Sequence, residues 1–231
     1  MTFQHPVFPF LVRRLGRVSV AFLALMALGL GAIIVFGDGE LVTRVHFSIW
    51  VQRNYELVRV VTDYGLYPFY AVFLGMFVYG VFRSDPWFKL MAQAYGIAQL
   101  VGSIALVRIL KMAVGRARPD ATPLPGFESQ WIGFTWDPKF HSFPSGHTAD
   151  IVTSAVFMAL VVRAPWAVAL FLVWALLLAF TRLALAKHYP TDAVVGAALA
   201  LAACYIVVRG WLNPRLERPP PFPVPRWWQG G

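Results

Sequence analysis

Three short, separated groups of residues carry the chemistry open to this chain. They are Lys111 with Arg118 and Pro119, then Pro144-Ser145-Gly146-His147, then Arg182 with His188 and Asp192. Phosphoryl transfer needs positive charge on the non-bridging oxygens, a nucleophile in line with the leaving group, and a proton for the departing oxygen. Each need has a candidate here. Lys111, Arg118 and Arg182 supply charge, and the two histidines supply an attacking nitrogen and a proton. His188 and Asp192 are spaced i, i+4, which places both on one helical face; a carboxylate on one ring nitrogen fixes the tautomer and frees the other for attack. Taken singly, each residue has a plainer reading: a cation near a span end snorkels to headgroups, Ser145 caps a helix, and a His–Asp pair closes an interface.

The groups must sit on elements that bring them together. Ser145 and Gly146 stand just before an apolar run, so their amides belong to a helix N-terminus, where exposed N–H groups and the helix dipole bind anions; Gly146 lets a phosphate approach the backbone. Lys111 and Arg118 are nearly two turns apart, so a continued helix projects both to one side, with Pro119 helping to stop it. Pro190 suits the first turn of the helix that carries Asp192. Asp150 lies at i+3 from His147, just inside the apolar run, where it orients His147, lines the entrance or rests at headgroup level. Arg116 has no partner in these groups and reads as a snorkelling cation.

Six stretches are long and apolar enough to cross about 30 Å of hydrocarbon as helices: 18–37, 66–83, 92–114, 147–163, 165–186 and 193–211. The first follows Arg13, Arg14 and Arg17 and ends in Gly37-Asp38-Gly39-Glu40 without a small-x-small cleavage site, so it reads as an uncleaved anchor. With the N-terminus, residues 1–17, in the cytoplasm, ten basic residues fall inside: Arg13, Arg14, Arg17, Arg83, Lys89, Arg163, Arg209, Arg215, Arg218 and Arg226. Of the acidic residues only Asp85 and Glu217 fall there. Both termini are then cytoplasmic and all three groups lie on the outer face.

Segment 41–62 reads as an amphipathic helix on that outer surface, or as a helix packed on the outer ends of the bundle. Residues 120–143, with Phe127, Trp131, Phe134, Trp136 and Phe140, form a loop over the site; its aromatics fit an interfacial belt or a guide for lipid chains. Residues 213–231 form a cytoplasmic tail, extended and polyproline-like around Pro219–Pro225. The expectation is an all-α polytopic membrane protein, one domain over residues 1–231, with six transmembrane helices and a short surface helix.

Composition agrees with that class and excludes others. Hydrophobic residues make up 58% and charged residues 13%, about half the charge of a soluble domain. The net charge of +9 comes without a basic run, so membrane topology accounts for it better than nucleic acid does. The single cysteine, Cys204, excludes a disulfide framework and a thiolate metal cluster. Sixteen Arg against four Lys hint at a GC-rich genome and hence a bacterial inner membrane.

The three groups, in this order, resemble the signature of the type 2 phosphatidic acid phosphatase (PAP2) superfamily, the membrane branch that shares its site with the vanadium haloperoxidases. Ten of its eleven named positions match, and Thr181 stands where the family usually has Ser, keeping a hydroxyl. The resemblance implies a haloperoxidase-like helical core. It implies that His188 attacks phosphorus to give a phosphohistidine supported by Asp192, and that His147 protonates the leaving alkoxide and then helps activate water. Lys111, Arg118, Arg182 and the amides of Ser145 and Gly146 would bind the phosphate oxygens, with Asp150 and Thr181 in support and no metal or cofactor.

Implied substrates are membrane lipid phosphates: undecaprenyl diphosphate, phosphatidylglycerol phosphate, phosphatidate or the phosphates of lipid A. A lipid phosphotransferase would carry the same residues, and a non-enzymatic transport or assembly protein would keep the spans without needing two histidines.

Overall fold

In hydrocarbon a chain must satisfy its backbone internally, and long apolar runs do so as helices. The computed structural model describes residues 7–121, 130–162 and 164–216, with no strand among them. Phe127, Arg163, Glu217, Arg218, Arg226 and the Pro219–Pro225 stretch, all used in the sequence reading, lie outside the described residues.

The order is α1 (Val7–Phe36), α2 (Asp38–His46), α3 (Ile49–Arg53), α4 (Tyr55–Tyr64), α5 (Tyr67–Phe82), α6 (Pro86–Ala98), a π-helical stretch (Gln99–Leu106), α7 (Val107–Val114), α8 (Gly146–Val161), α9 (Pro165–Ala184), α10 (Pro190–Val207), a second π-helical stretch (Val208–Leu212) and α11 (Asn213–Leu216). Among the described residues, five units are long and apolar enough to cross a membrane: Leu11–Phe36, Tyr55–Phe82, Pro86–Val114, Pro165–Ala184 and Pro190–Leu216. These make the chain an integral membrane protein. Along α1, Leu11, Leu15, Val18 and Phe22 are buried at helical spacing while Val20, Leu23, Leu28 and Ile34 are exposed. A helix apolar on both faces suits a lipid-facing position.

The sixth expected span, 147–163, differs. Helix α8 has 16 residues, about 24 Å at 1.5 Å per residue, short of the hydrocarbon thickness. Thirteen of those residues are buried. It is the central rod of the bundle, packed by α9, α10, α6, α1 and the first π-helical stretch. It runs from one end of the bundle to the other enclosed by these helices, so its apolar residues meet protein on nearly all sides.

Segment 41–62 is not one helix. Ser48 caps α3, Asn54 separates α3 from α4, and α4 runs on towards α5 as part of the second span. The segment packs on the end of the bundle: Val42 is buried with Ala186 and Tyr189, and Val51 and Val58 with Ala184 and Leu185. These contacts place α2 to α4 against the turn that carries His188.

Candidate active site

Four helix ends meet at this face: the last turn of α7 with Lys111, the first turn of α8 with Gly146 and His147, the last turn of α9 with Arg182, and the first turn of α10 with Asp192. Ser145 is the N-cap of α8, its Oγ accepting from the Thr148 amide at 3.4 Å. The Ser145 amide donates to the Asp192 carbonyl at 2.9 Å, which joins the α8 entry to α10. That approach depends on Gly196, where a Cβ would lie 2.4 Å from the Ser145 carbonyl oxygen.

Helix α7 does not continue to Arg118. Gly115 takes a left-handed conformation with φ 58° and ends it, so Arg118 arrives from a loop. Position 115 has room for no side chain, since a Cβ would meet the Gly133 carbonyl at 1.9 Å. Beyond it, residues 130–142 run along 112–118: Thr135 donates to Met112, Ile132 to Gly115, Ala117 to Gln130, Arg118 to Lys139, and Ser142 to Arg116, all at 2.8–3.0 Å. Lys111 Nζ donates to the carbonyls of His141 at 2.6 Å and Ser142 at 3.4 Å, and Arg118 Nε to that of Pro138 at 3.1 Å.

His188 precedes α10 instead of lying on it, with Tyr189 as the N-cap. Its Nδ1 is 2.7 Å from the Ser142 carbonyl and 3.5 Å from Asp192 Oδ2. A carbonyl oxygen only accepts, so Nδ1 carries the proton and Nε2 keeps its lone pair. Burial holds the imidazole far below its ordinary value, at about 3; the Asp192 carboxylate opposes this, and the Lys111 charge acts with burial. His147, half-buried, is within electrostatic reach of Arg182, Lys111 and Arg118. Lys111 is reached by Arg118 and Arg182, and Lys111 and Arg182 act on His188, so the three sequence groups share one local field.

Asp192 is fully buried and its oxygens are well occupied. Oδ2 accepts from Ser142 Oγ at 2.5 Å and from the Tyr189 amide at 2.9 Å, and Oδ1 from Arg116 Nη1 at 2.5 Å. The snorkelling reading of Arg116 is therefore overturned. Its side chain is 3% exposed, and Nη2 bonds Asp38 Oδ2 at 2.6 Å. Its guanidinium stacks on Tyr189 at 3.9 Å and on Trp131 at 4.7 Å. Asp38 also accepts from the Thr191 amide at 3.0 Å, tying the end of the first span to the start of α10.

The two supporting residues take other partners. Asp150 bonds Gln99 at 2.6 Å and Tyr70, inside the bundle. Thr181 Oγ1 donates to the Leu178 carbonyl at 2.7 Å and lies 2.8 Å from Thr62 Oγ1, which accepts from Arg182 Nη1 at 3.3 Å. Thr181 thus bears on Arg182 through Thr62. The buried Arg182 Nε has no hydrogen-bond acceptor among the described residues. A cavity of about 640 Å³ adjoins the site, lined by Lys111, Arg118, Gly146, His141, Arg108 and Trp136 among others. The histidines and Arg182 are not in its wall.

The sequence reading missed Arg116, Asp38, Ser142 and Thr62. Only Asp38 left a local sign, as a carboxylate directly after an apolar span.

Fold and site together define an integral membrane protein of helices that gathers two histidines, a carboxylate and several cations at one end of its bundle. The chain belongs to the PAP2 superfamily, whose family model matches residues 89–215. It is 32% identical over 145 residues to a lipid A 1-phosphatase of Rhizobium etli, covering 54% of this chain and 61% of that protein. A lipid A 1-phosphatase of Rhizobium johnstonii is 37% identical over 105 residues, 46% of this chain and 42% of the relative. A lipid A 4'-phosphatase of Bacteroides thetaiotaomicron is 34% identical over 88 residues, 38% of this chain and 39% of the relative. The chain thus matches less than two thirds of each relative's length. No solved structure is a significant match.

Proposed function

We propose that this protein is a membrane lipid phosphatase that hydrolyses a phosphomonoester or diphosphate through a phosphohistidine on His188. One observation carries the reading: His188 Nδ1 is committed to the Ser142 carbonyl beside Asp192, so the ring presents a neutral Nε2 in the field of Lys111 and Arg182. Nε2 attacks phosphorus and the ester P–O bond breaks as His147 protonates the leaving alkoxide. Lys111, Arg118, Arg182 and the α8 amides hold the oxygens on which charge develops. Water then attacks phosphorus, giving its proton to His147, and the P–N bond breaks to release phosphate and restore both imidazoles. Asp192 stabilises the imidazolium character that His188 acquires while phosphorylated.

The cationic residues supply the charge neutralisation in this scheme, so activity is proposed to be metal-independent. The basic-residue asymmetry supports a site on the outer face of a bacterial inner membrane, with both termini cytoplasmic. The names of the relatives favour a lipid A phosphate among the candidate lipids.

The test is a panel of lipid phosphates offered to detergent-purified protein, with free phosphate as readout, EDTA in parallel and His188→Ala as control. Phosphate release that survives EDTA and is lost in His188→Ala is expected. Release unchanged in His188→Ala would overturn the nucleophile, and loss in EDTA restored by a divalent ion would overturn the metal-free scheme. Recovery of a phosphorylated second lipid in place of free phosphate would reassign the protein as a phosphotransferase.

A further inference from the structure

The cavity beside the site is larger than one phosphate requires and has its own cation. Its volume is about 640 Å³, and its wall runs from Lys111, Arg118 and Gly146 out to Ser103, Arg108 and Trp136. Arg108 lies at i−3 from Lys111, so the two share a face of α7. It forms no ion pair among the described residues. The cavity wall contains no carboxylate that could serve it. Arg108 stands six residues before Val114, about 9 Å along the helix from its end. Arg108 is an exposed residue of the cavity wall, so its unpaired charge is open to an anion entering from the headgroup side.

The charge count leads the same way. A phosphomonoester carries about −1.5 to −2, and Lys111, Arg118 and Arg182 already exceed that charge. A substrate with one phosphate leaves Arg108 unmatched. The rest of the wall suits the frame of a headgroup: Trp136 is 71% exposed, Ile104 and Met112 are apolar, and Ser103 offers a hydroxyl.

We propose that this cavity is a headgroup subsite in which Arg108 binds a second phosphoryl group of the lipid, beyond the one being cleaved. The inference rests on the phosphatase reading. Two sources share the chemistry: a diphosphate, whose second phosphorus is joined through the bridging oxygen, and a headgroup bearing two separate phosphates.

Three lipids presented in the same detergent separate them: a lipid monophosphate, the corresponding diphosphate, and a glycolipid phosphorylated at two positions. kcat and KM are measured for each with the wild type, Arg108→Gln and Arg108→Lys. The wild type is expected to prefer one doubly phosphorylated lipid over the monophosphate in kcat/KM, and that lipid identifies the source. Arg108→Gln is expected to cut the preference about tenfold, through KM, as loss of one charge-assisted hydrogen bond would. Arg108→Lys is expected to keep most of it, because Lys is also a phosphate binder. No preference in the wild type, or an equal loss on all three lipids in Arg108→Gln, would overturn the subsite while leaving the phosphatase reading intact. No phosphate from any lipid beyond that given by His188→Ala would sink both.

Discussion

His188 is neutral at ordinary pH because burial removes the solvation an imidazolium needs, and this sets how the site meets acid. In the unfolded chain the imidazole takes a proton below about 6.5, whereas the folded ring resists until about 3. Its nucleophilic form therefore persists on acidification, while the stability tied to it, fully present above about 6.5, falls as pH drops from 6.5 towards 3. On the alkaline side, burial and the charges of Arg182, Lys111 and Arg118 disfavour a proton on His147 until a phosphate dianion neutralises those cations. The alkaline limb of the bell-shaped profile therefore belongs to the substrate complex and is read in kcat. Arg116 belongs to the same argument as a positioning residue, because its guanidinium is taken up by Asp192 and Asp38. Breaking a buried pair by removing one partner costs about 3–5 kcal/mol, since an uncompensated charge stays behind. Arg116→Ala is expected to lower kcat about 100-fold, the scale of an ångström-level misplacement, with KM within about twofold. Arg116→Lys keeps the charge without the two-pronged fork and should recover part of kcat. The measurement is the pH profile of kcat and KM for wild type and both variants. An acid limb near 6.5 in the wild type, or a change confined to KM in Arg116→Ala, would contradict this account. The residues that perform the proposed chemistry were legible from type and spacing, whereas Arg116, Asp38 and Ser142 were not. Their role is a pairing between distant segments, and single positions record no pairing.

At the scale of elements, the apolar runs were readable and their ends were less so. Hydropathy found α1, α5, the α6–α7 rod, α9 and α10, because each must present apolar surface over a long stretch, and it left α4 out of the second span. The span 92–114 ends where α7 does, but the spacing of Lys111 and Arg118 carried the helix four residues too far, since the left-handed Gly115, not Pro119, stops it. The amphipathic pattern of 41–62 joined α2 to α4 into one helix, missing the breaks at Ser48 and Asn54. A less visible device is the contact of α8 with α10. The Ser145 carbonyl fits against position 196 only because no Cβ stands there, and that contact holds the anion-binding amides of α8 beside Asp192. Gly196→Ala must push the Ser145-Gly146 turn away, since the obstructing atom is backbone and cannot rotate aside. Overpacking of this kind costs about 1–3 kcal/mol and displaces the site. The expected result is a loss of kcat/KM of about tenfold or more in a protein that still folds. Gly75→Ala, where nothing lies within 4 Å of the added carbon, provides the comparison. Equal activity in the two variants would show that the α8–α10 approach does not set the site geometry.

The molecule as a whole has two chemically distinct ends, and the short α8 shows how they are joined. At the site end, Asp38 after α1 reaches Arg116 and Thr191. At the other end, Arg14 near the start of α1 bonds the carbonyls of Ala159 and Val162, where α8 finishes. Helix α1 therefore runs antiparallel to α8 and spans the bundle alongside it, and an arginine meets the last carbonyls of a helix too short to reach headgroup level unaided. The loop at Arg83 and Asp85 follows α5 at the end opposite the site, because α6 and α7 lead from there to Lys111. That end also carries Arg13, Arg17, Lys89, Arg209 and Arg215, and the proposed cytoplasmic placement rests on that concentration. Cys204 is fully buried, so an introduced cysteine can be read against a quiet background. Phe134→Cys, at an exposed position of the loop over the site, is expected to react with a membrane-impermeant maleimide in intact cells made permeable only at the outer membrane. Arg83→Cys is expected to react only after the inner membrane is opened. The reverse pattern would turn the site towards the cytoplasm and restrict its substrates to lipids of the inner leaflet.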